Sequence, residues 1–279
     1  MIEARAITKR YKDGTLALDG VNFTLNKKTT SIIGRNGAGK TTLLRILSTQ
    51  LLPTSGTASI NGLDVVKAAQ DVRNIIVSIP QESKPINYLS PLDNVVLYLS
   101  ARRMRMSEAK EAAEKAIKTV GLWKVREKIS DELSGGMKRK IFVAMAIASK
   151  SDVVFLDEPT TGLDPLSRIE VWSAIKAIKG QVILTTHYME EAQALSDDVL
   201  MMDKGKILSQ GKVGDLLKPF KGKVRVESTK KKSHSYKVGN TYISYIGKNE
   251  AEASVMVGDI IKPITLDDLF IKRGVELEY

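Results

Sequence analysis

The sequence predicts an α/β protein in which a mostly parallel sheet forms the core. An N-terminal antiparallel β subdomain, an inserted α-helical subdomain and a small C-terminal α+β extension complete it. Three observations point there. TTSIIG (29–34), VVFLD (153–157) and VILTT (182–186) are unbroken aliphatic and β-branched runs, each closed by polar residues, as strands covered on both faces require. The first 25 residues instead alternate short apolar and polar pieces, the habit of antiparallel strands with one solvated face. Between the first and second runs the chain is rich in helix formers and helix starts.

Taken in order, IEARAIT (2–8) and LALDGVNFTL (16–25) flank Lys12-Asp13-Gly14, which reads as a hairpin turn. TTSIIG then runs into the glycine-rich GRNGAGKTT (34–42) and the helical LLRILSTQ (43–50). The helical layer is built from PLDNVVLYLSARRMRM (91–106), SEAKEAAEKAIKTVGL (107–122) with Ser107 as its cap, and the helix after Gly136. From about residue 217 the character changes. Pro219 and Gly222 punctuate the chain, and VRVES, SYKV, TYISYIG and ASVMVG read as short strands before a last helix, TLDDLFIKRG (265–274). The expected division is therefore a main unit over 1–216, with its helical subdomain at about 82–150, and an accessory region over 217–279. The triplet Lys230 to Lys232 reads as a solvated turn.

Composition narrows the function classes. The 279 residues carry 43 basic against 32 acidic side chains, a formal charge of +11 that suits nucleic acid, a phosphorylated ligand or an anionic surface. The lysines are dispersed and aromatics make up only 5% of the chain, too few for a base-stacking face, so no nucleic-acid partner is expected. The chain has no cysteine, which excludes disulfides and thiolate metal sites and makes a reducing compartment the expected home. No apolar stretch reaches the ~18 residues of a membrane span, and the opening MIEARAITKRYKDG is too polar for a secretory signal. Any membrane contact is expected to run through a partner or a surface.

The chemistry sits at the strand ends. GRNGAGKTT fits the phosphate-loop pattern, with a buried strand before it and a helix after it. Glycines let several backbone N–H groups converge on phosphate oxygens at a helix N-terminus, Lys40 reaches the β- and γ-phosphates, and Thr41 ligates magnesium. VVFLDEPTTGLDP places Asp157 at a strand end and Glu158 just beyond. Adjacent acids in a loop are ordinarily surface charge. Beside a phosphate loop they read as a carboxylate for the magnesium shell and a second that orients or deprotonates water. His187, one of two histidines, closes the third buried run, where it could sense the γ-phosphate.

These motifs resemble, in order and over roughly the first 215 residues, the nucleotide-binding subunits of ATP-binding cassette transporters. GRNGAGKT resembles the family's Walker A, VVFLDE its Walker B, Gln81 in VSIPQE its glutamine loop, LSGGM its signature, TGLDP its D-loop and His187 its switch histidine. The resemblance implies a RecA-like P-loop core and ATP with Mg2+ as ligands. It also implies two cassettes packed head to tail, each signature lying against the nucleotide held by the other. On that basis Glu158, His187, Lys40 and Gln81 are expected in catalysis. Thr41, Gln81 and Asp157 are expected at the metal. Tyr11, Gly34, Arg35, Asn36, Gly37, Ala38, Gly39, Lys40, Thr41, Thr42, Ser134, Gly135, Gly136 and Asp164 are expected on the nucleotide. Tyr11 corresponds to the family's adenine-stacking aromatic, and larger residues at Gly135 and Gly136 would hold the backbone away from a γ-phosphate.

Met137 departs from the family's commonest glutamine at that position, but the phosphate-facing donors, Ser134 and the two glycines, are present. Gly-Gly-Met followed by basic residues resembles the exporter-type branch, and the tail with LDDLF resembles that branch's C-terminal extension more weakly. The implied machine hydrolyses ATP to drive a separately encoded transmembrane permease, which a groove near 85–94 would receive, and it works at the cytoplasmic face of the membrane. Its second cassette is another copy or a paralogue. A soluble relative acting on ribosomes or nucleic acid is the alternative, but those carry two cassettes or a coiled-coil insertion, and this chain has one Walker A and one signature. A phosphate-loop kinase would leave LSGGM, the D-loop and His187 without purpose. A serine nucleophile at Ser134 has no neighbouring histidine and no Gly-x-Ser-x-Gly elbow.

Overall fold

The computed structural model describes residues 1–254 and 258–273. Strands β1 (Ile2–Arg10) and β2 (Leu16–Leu25) pair antiparallel across a tight turn in which the Gly14 N–H donates to the Tyr11 carbonyl at 3.0 Å. β3 (Thr29–Ile33) enters the core and hands over, through the glycine-rich loop, to α1 (Lys40–Leu47). β4 (Ser55–Ile60) and β5 (Leu63–Asp64) complete the antiparallel sheet, in the order β2-β1-β4-β5. α2 (Ala69–Ile75) runs directly into β6 (Ile76–Ile79).

The helical layer comprises α3 (Pro91–Ala101), α4 (Met106–Thr119) and α5 (Gly135–Ser149). α3 begins cleanly because the Ser90 hydroxyl accepts the Asp93 N–H at 3.1 Å and Pro91 occupies the first turn. The expected cap of α4 is corrected. Ser107 lies within the first turn, and Arg105 is the N-cap, its extended backbone offering its carbonyl to the Ala109 N–H at 2.8 Å.

After the layer come β7 (Val153–Asp157), α6 (Pro165–Lys176), β8 (Gln181–Thr186), α7 (Met189–Leu195), β9 (Asp198–Asp203), β10 (Lys206–Gly211) and α8 (Val213–Leu216). The six-stranded sheet runs β10-β9-β3-β8-β7-β6, parallel except for the antiparallel edge strand β10. Alternation explains its unbroken apolar runs. In β7, Val154 and Leu156 point to the helical layer, while Val153 and Phe155 join the cluster under the antiparallel sheet and α1. β8 divides the same way, with Val182 and Leu184 on one face and Ile183 on the other. Both faces are covered, so neither set can be polar.

The remaining elements are β11 (Lys223–Ser228), β12 (Tyr236–Val238), β13 (Thr241–Gly247), α9 (Lys248–Ser254), β14 (Ile260–Lys262) and α10 (Asp267–Lys272). The strands form a third sheet, ordered β12-β13-β11-β14. Leu266, Leu269 and Phe270, together with Phe220, pack on Ile33, Met189, Ala192, Val199 and Met201. The small sheet is thus seated through α10 on α7, β3 and β9.

Two expectations here are corrected. The stretch expected as the strand ASVMVG begins at 253–254 as the end of α9, whose KNEAEA run favours helix locally, and 255–257 lie outside the described residues. Lys232 does not share a purely solvated turn with Lys230 and Lys231. It pairs with Asp259, and its side chain is only 16% exposed.

Candidate active site

A cleft of about 750 Å3 opens where β3 meets α1. The loop between them can curl only as glycine. A Cβ on Gly34 would stand 2.3 Å from the Met202 carbonyl oxygen, and one on Gly39, at φ 96°, would stand 2.4 Å from that of Ala17. This curl brings the Lys40 ammonium back under the loop, where it donates to the carbonyls of Gly34 and Arg35 at 2.8 and 3.0 Å. Lys40 is 5% exposed. Burial pulls its ammonium below the ordinary lysine range, and the Glu158 carboxylate, 3.6 Å away, pushes in the opposite direction.

Asp157 ends β7 and accepts hydrogen bonds from Thr41 Oγ1 at 3.0 Å and Thr185 Oγ1 at 2.5 Å. Glu158, the next residue, has φ 45°, the left-handed conformation that costs a non-glycine residue of order 1 kcal/mol or more. The Thr185 hydroxyl and carbonyl both take its N–H, at 2.9 and 3.2 Å, and hold it there. One carboxylate oxygen, Oε2, is the hub of the cleft. It accepts from Thr161 Oγ1 at 2.9 Å and Gln81 Nε2 at 3.4 Å, and lies 3.1 Å from His187 Nδ1. At the open end, the Tyr11 hydroxyl lies 3.2 Å from Thr42 Oγ1.

Asn36, Gly37, Ala38, Gly39, Lys40, Thr41, Thr42, Gln81, Glu158, His187 and Tyr11 therefore line one cleft. Gly34 and Arg35 brace Lys40, and Asp157 lies beneath Thr41. Ser134, Gly135, Gly136 and Asp164 do not line it. The Ser134 hydroxyl caps α5, accepting the Met137 N–H at 3.3 Å. Asp164 caps α6, accepting the Ser167 N–H at 3.0 Å, and the Ser167 hydroxyl together with that N–H holds its carboxyl below the usual range. Gly136 has a further reason to be glycine, beside the one expected. A Cβ there would lie 2.8 Å from Ser167 Cβ, so packing of α5 on α6 within the same chain demands glycine. Gly135 would meet only Leu163, at an ordinary 3.4 Å.

The ABC transporter model matches residues 18–161. The chain belongs to the ABC transporter family. This cassette is 36% identical over 219 residues to the daunorubicin/doxorubicin resistance ATP-binding protein DrrA of Streptomyces peucetius, a match covering 77% of the chain and 66% of that relative. It is 37% identical over 223 residues to the daunorubicin resistance protein DrrA3 of Streptomyces coeruleorubidus, covering 78% and 70%. The chain thus spans about two thirds of the length of these relatives. Among solved structures, CbiO1 of Clostridium perfringens, part of the ABC transporter complex CbiONQ, superposes with a TM-score of 0.67 at 27% identity, covering 76% of this chain and 88% of its own. A dimeric ATP-binding cassette in a post-hydrolysis state, bound to ADP and Pi, gives 0.68 at 26% identity, covering 76% and 98%. The α/β cassette fold and the ATPase class of the chain follow.

For this ABC cassette, Thr161 and Thr185 are the site residues that sequence reasoning missed. A hydroxyl three residues after Glu158 and another two before His187 were visible, but nothing local says that both turn toward the acids. Among the described residues no group of three or more His, Asp or Glu side chains converges as a metal cage. Thr41 and Asp157 nevertheless present hard oxygens side by side at the loop, a donor set that suits magnesium completed by substrate and water oxygens.

Proposed function

We propose that this chain is the ATP-hydrolysing subunit of an exporter. It would pair with a second cassette around ATP and drive a separate transmembrane permease from the cytoplasmic face. The observation carrying the reading is the convergence of Gln81, Thr161 and His187 on Glu158 Oε2, next to the buried Lys40. Magnesium would be held by Thr41 and Asp157, with Gln81 as the third group assigned to it, and when bound it would neutralise charge on the phosphates.

The chain's own groups do the rest. Loop N–H groups and Lys40 bind and orient the phosphates, and Tyr11 covers the base. Glu158 takes a proton from, or aligns, the attacking water, while His187 holds the carboxylate toward the γ-phosphate. Ser134 keeps its own proton free to donate, because in capping α5 it serves only as acceptor. With Gly135, Gly136 and Asp164 outside the cleft of their own chain, contact with nucleotide falls to those of a partner cassette. The division into a cassette over 1–216 and an accessory region over 217–279 belongs to the same proposal.

A further observation favours a permease. A groove of about 310 Å3 runs past Ser83, Pro85, Tyr98 and Phe142, with Ile86 and Leu97 exposed along it. An amphipathic cytoplasmic helix fits such a surface. Kinship with DrrA-type resistance proteins supports export.

The test is steady-state ATP hydrolysis by the purified chain. Glu158→Gln is expected to lower turnover ~10² to 10⁴-fold, the range for losing a general base, and to accumulate ATP-bound dimers. Ser134→Arg is expected to block hydrolysis while single-chain ATP binding persists. Full turnover in Glu158→Gln would remove that residue from the chemistry, and wild-type turnover in Ser134→Arg would remove the partner's signature.

A further inference from the structure

The chemistry above leaves unused a fully buried acid close to His187 in the chain. Glu191, in the first turn of α7, the helix that follows His187, is 0% exposed. A carboxylate cannot be buried so without strong partners, and its partners come from separate parts of the chain. Glu191 Oε1 accepts from Thr160 Oγ1 at 2.7 Å and from Trp172 Nε1 at 2.9 Å. Thr160 stands two residues after Glu158, and Trp172 lies on α6. Burial pushes the Glu191 carboxyl up, against the Thr186 and Thr160 hydroxyls, the Trp172 indole and the charge of Arg168. Arg168, one turn before Trp172, stacks its guanidinium 4.0 Å from the Tyr188 ring centroid, and Tyr188 in turn lies 4.1 Å from the His187 ring. α6 and α7 are thereby joined at two successive turns, immediately behind the pair Glu158 and His187.

We infer that Glu191 is a positioning residue for ATP hydrolysis, clamping the loop that carries Glu158 to the segment that carries His187 through Thr160 and Trp172. Glu158 and His187 leave adjacent strands, β7 and β8, and past the bonds from the Glu158 N–H to Thr185 no ladder bond sets the spacing of their loops. The shared Oε1 supplies that spacing. Displacements near 1 Å at a reacting centre cost about 10²-fold in rate, so a clamp two residues from Glu158 governs turnover without touching nucleotide. The inference rests on the proposed roles of Glu158 and His187.

The experiment compares kcat, KM and ATP affinity for Glu191→Ala, Glu191→Gln and Thr160→Val, with Glu158→Gln as reference in the same assay. Glu191→Ala is expected to lose ~10- to 100-fold in kcat with KM and ATP affinity within about two-fold of wild type, because the phosphate loop is untouched. Glu191→Gln keeps a carbonyl oxygen for both donors and should recover to within a few-fold of wild type. Thr160→Val, which preserves shape and loses only the hydroxyl, should reproduce part of the kcat loss even if Glu191→Ala folds poorly. Its effect should also be non-additive with that of the Ala variant. Unchanged kcat in Thr160→Val and Glu191→Ala, or a loss confined to KM, overturns the clamp. So does a Gln variant as impaired as Ala. Full activity in Glu158→Gln would instead overturn the underlying assignment of the base.

Discussion

At the scale of single residues, the site is made of groups that folding would not choose for stability. Lys40 is nearly buried beside Glu158, Glu158 takes a left-handed backbone, and Glu191 is a carboxylate with no solvent contact. Glu191 makes one consequence measurable. Its carboxyl is held above the ordinary glutamate value of 4.5. Between that value and the raised one, the folded chain keeps a proton that the unfolded chain has released, so this stabilisation is complete in acid and lost as pH rises. Glutamine does not titrate. Glu191→Gln should therefore melt progressively higher relative to wild type as pH is raised from about 4 to 7. Parallel melting curves for the two proteins across that range would contradict the buried, proton-favouring environment.

At the scale of elements, the signature helix and the helix after the D-loop behave as one packed pair. Gly136 sits against Ser167 with no room for a Cβ, and Lys140 reaches Glu170 at 2.8 Å a turn further along. Gly136→Ala improves intrinsic helix propensity by about 1 kcal/mol. Overpacking costs about 1 to 3 kcal/mol and should win, because the clash is with the stem of Ser167 rather than with a flexible tip. Urea unfolding should show the loss, and adding Ser167→Gly should restore much of it by vacating the contested space. If the single variant is as stable as wild type, the two helices are not in the contact described. None of this was legible in LSGGM, which reads identically whether its glycines face a phosphate or a neighbouring helix. The caps show the same limit. Ser107 had the composition of an N-cap, but the chain entered the helix two residues earlier, at Arg105.

At the scale of the whole molecule, the C-terminal sheet is joined to the catalytic core through one apolar cluster. Phe270 is fully buried there against residues that include Met189 and Ala192 of α7, the helix that begins two residues after His187. Phe270→Ala should cost about 3 to 5 kcal/mol and should raise hydrogen exchange in 189–195 selectively over that in β6 and β7. Uniform exchange across those segments would mean that the extension is not coupled to α7. Much of the architecture and most of the site chemistry were readable along the chain. Glycine spacing, unbroken apolar runs and acids at strand ends are local patterns, each written within a dozen residues by backbone sterics and burial. Convergence is not local. Gln81 and His187 meet Glu158 across separations of 77 and 29 residues, and Glu191 finds Thr160 across 31. Those meetings depend on the strand order β3-β8-β7-β6 and on which helix faces which. Such neighbours are selected by packing of the entire core, and no short stretch of sequence carries that information.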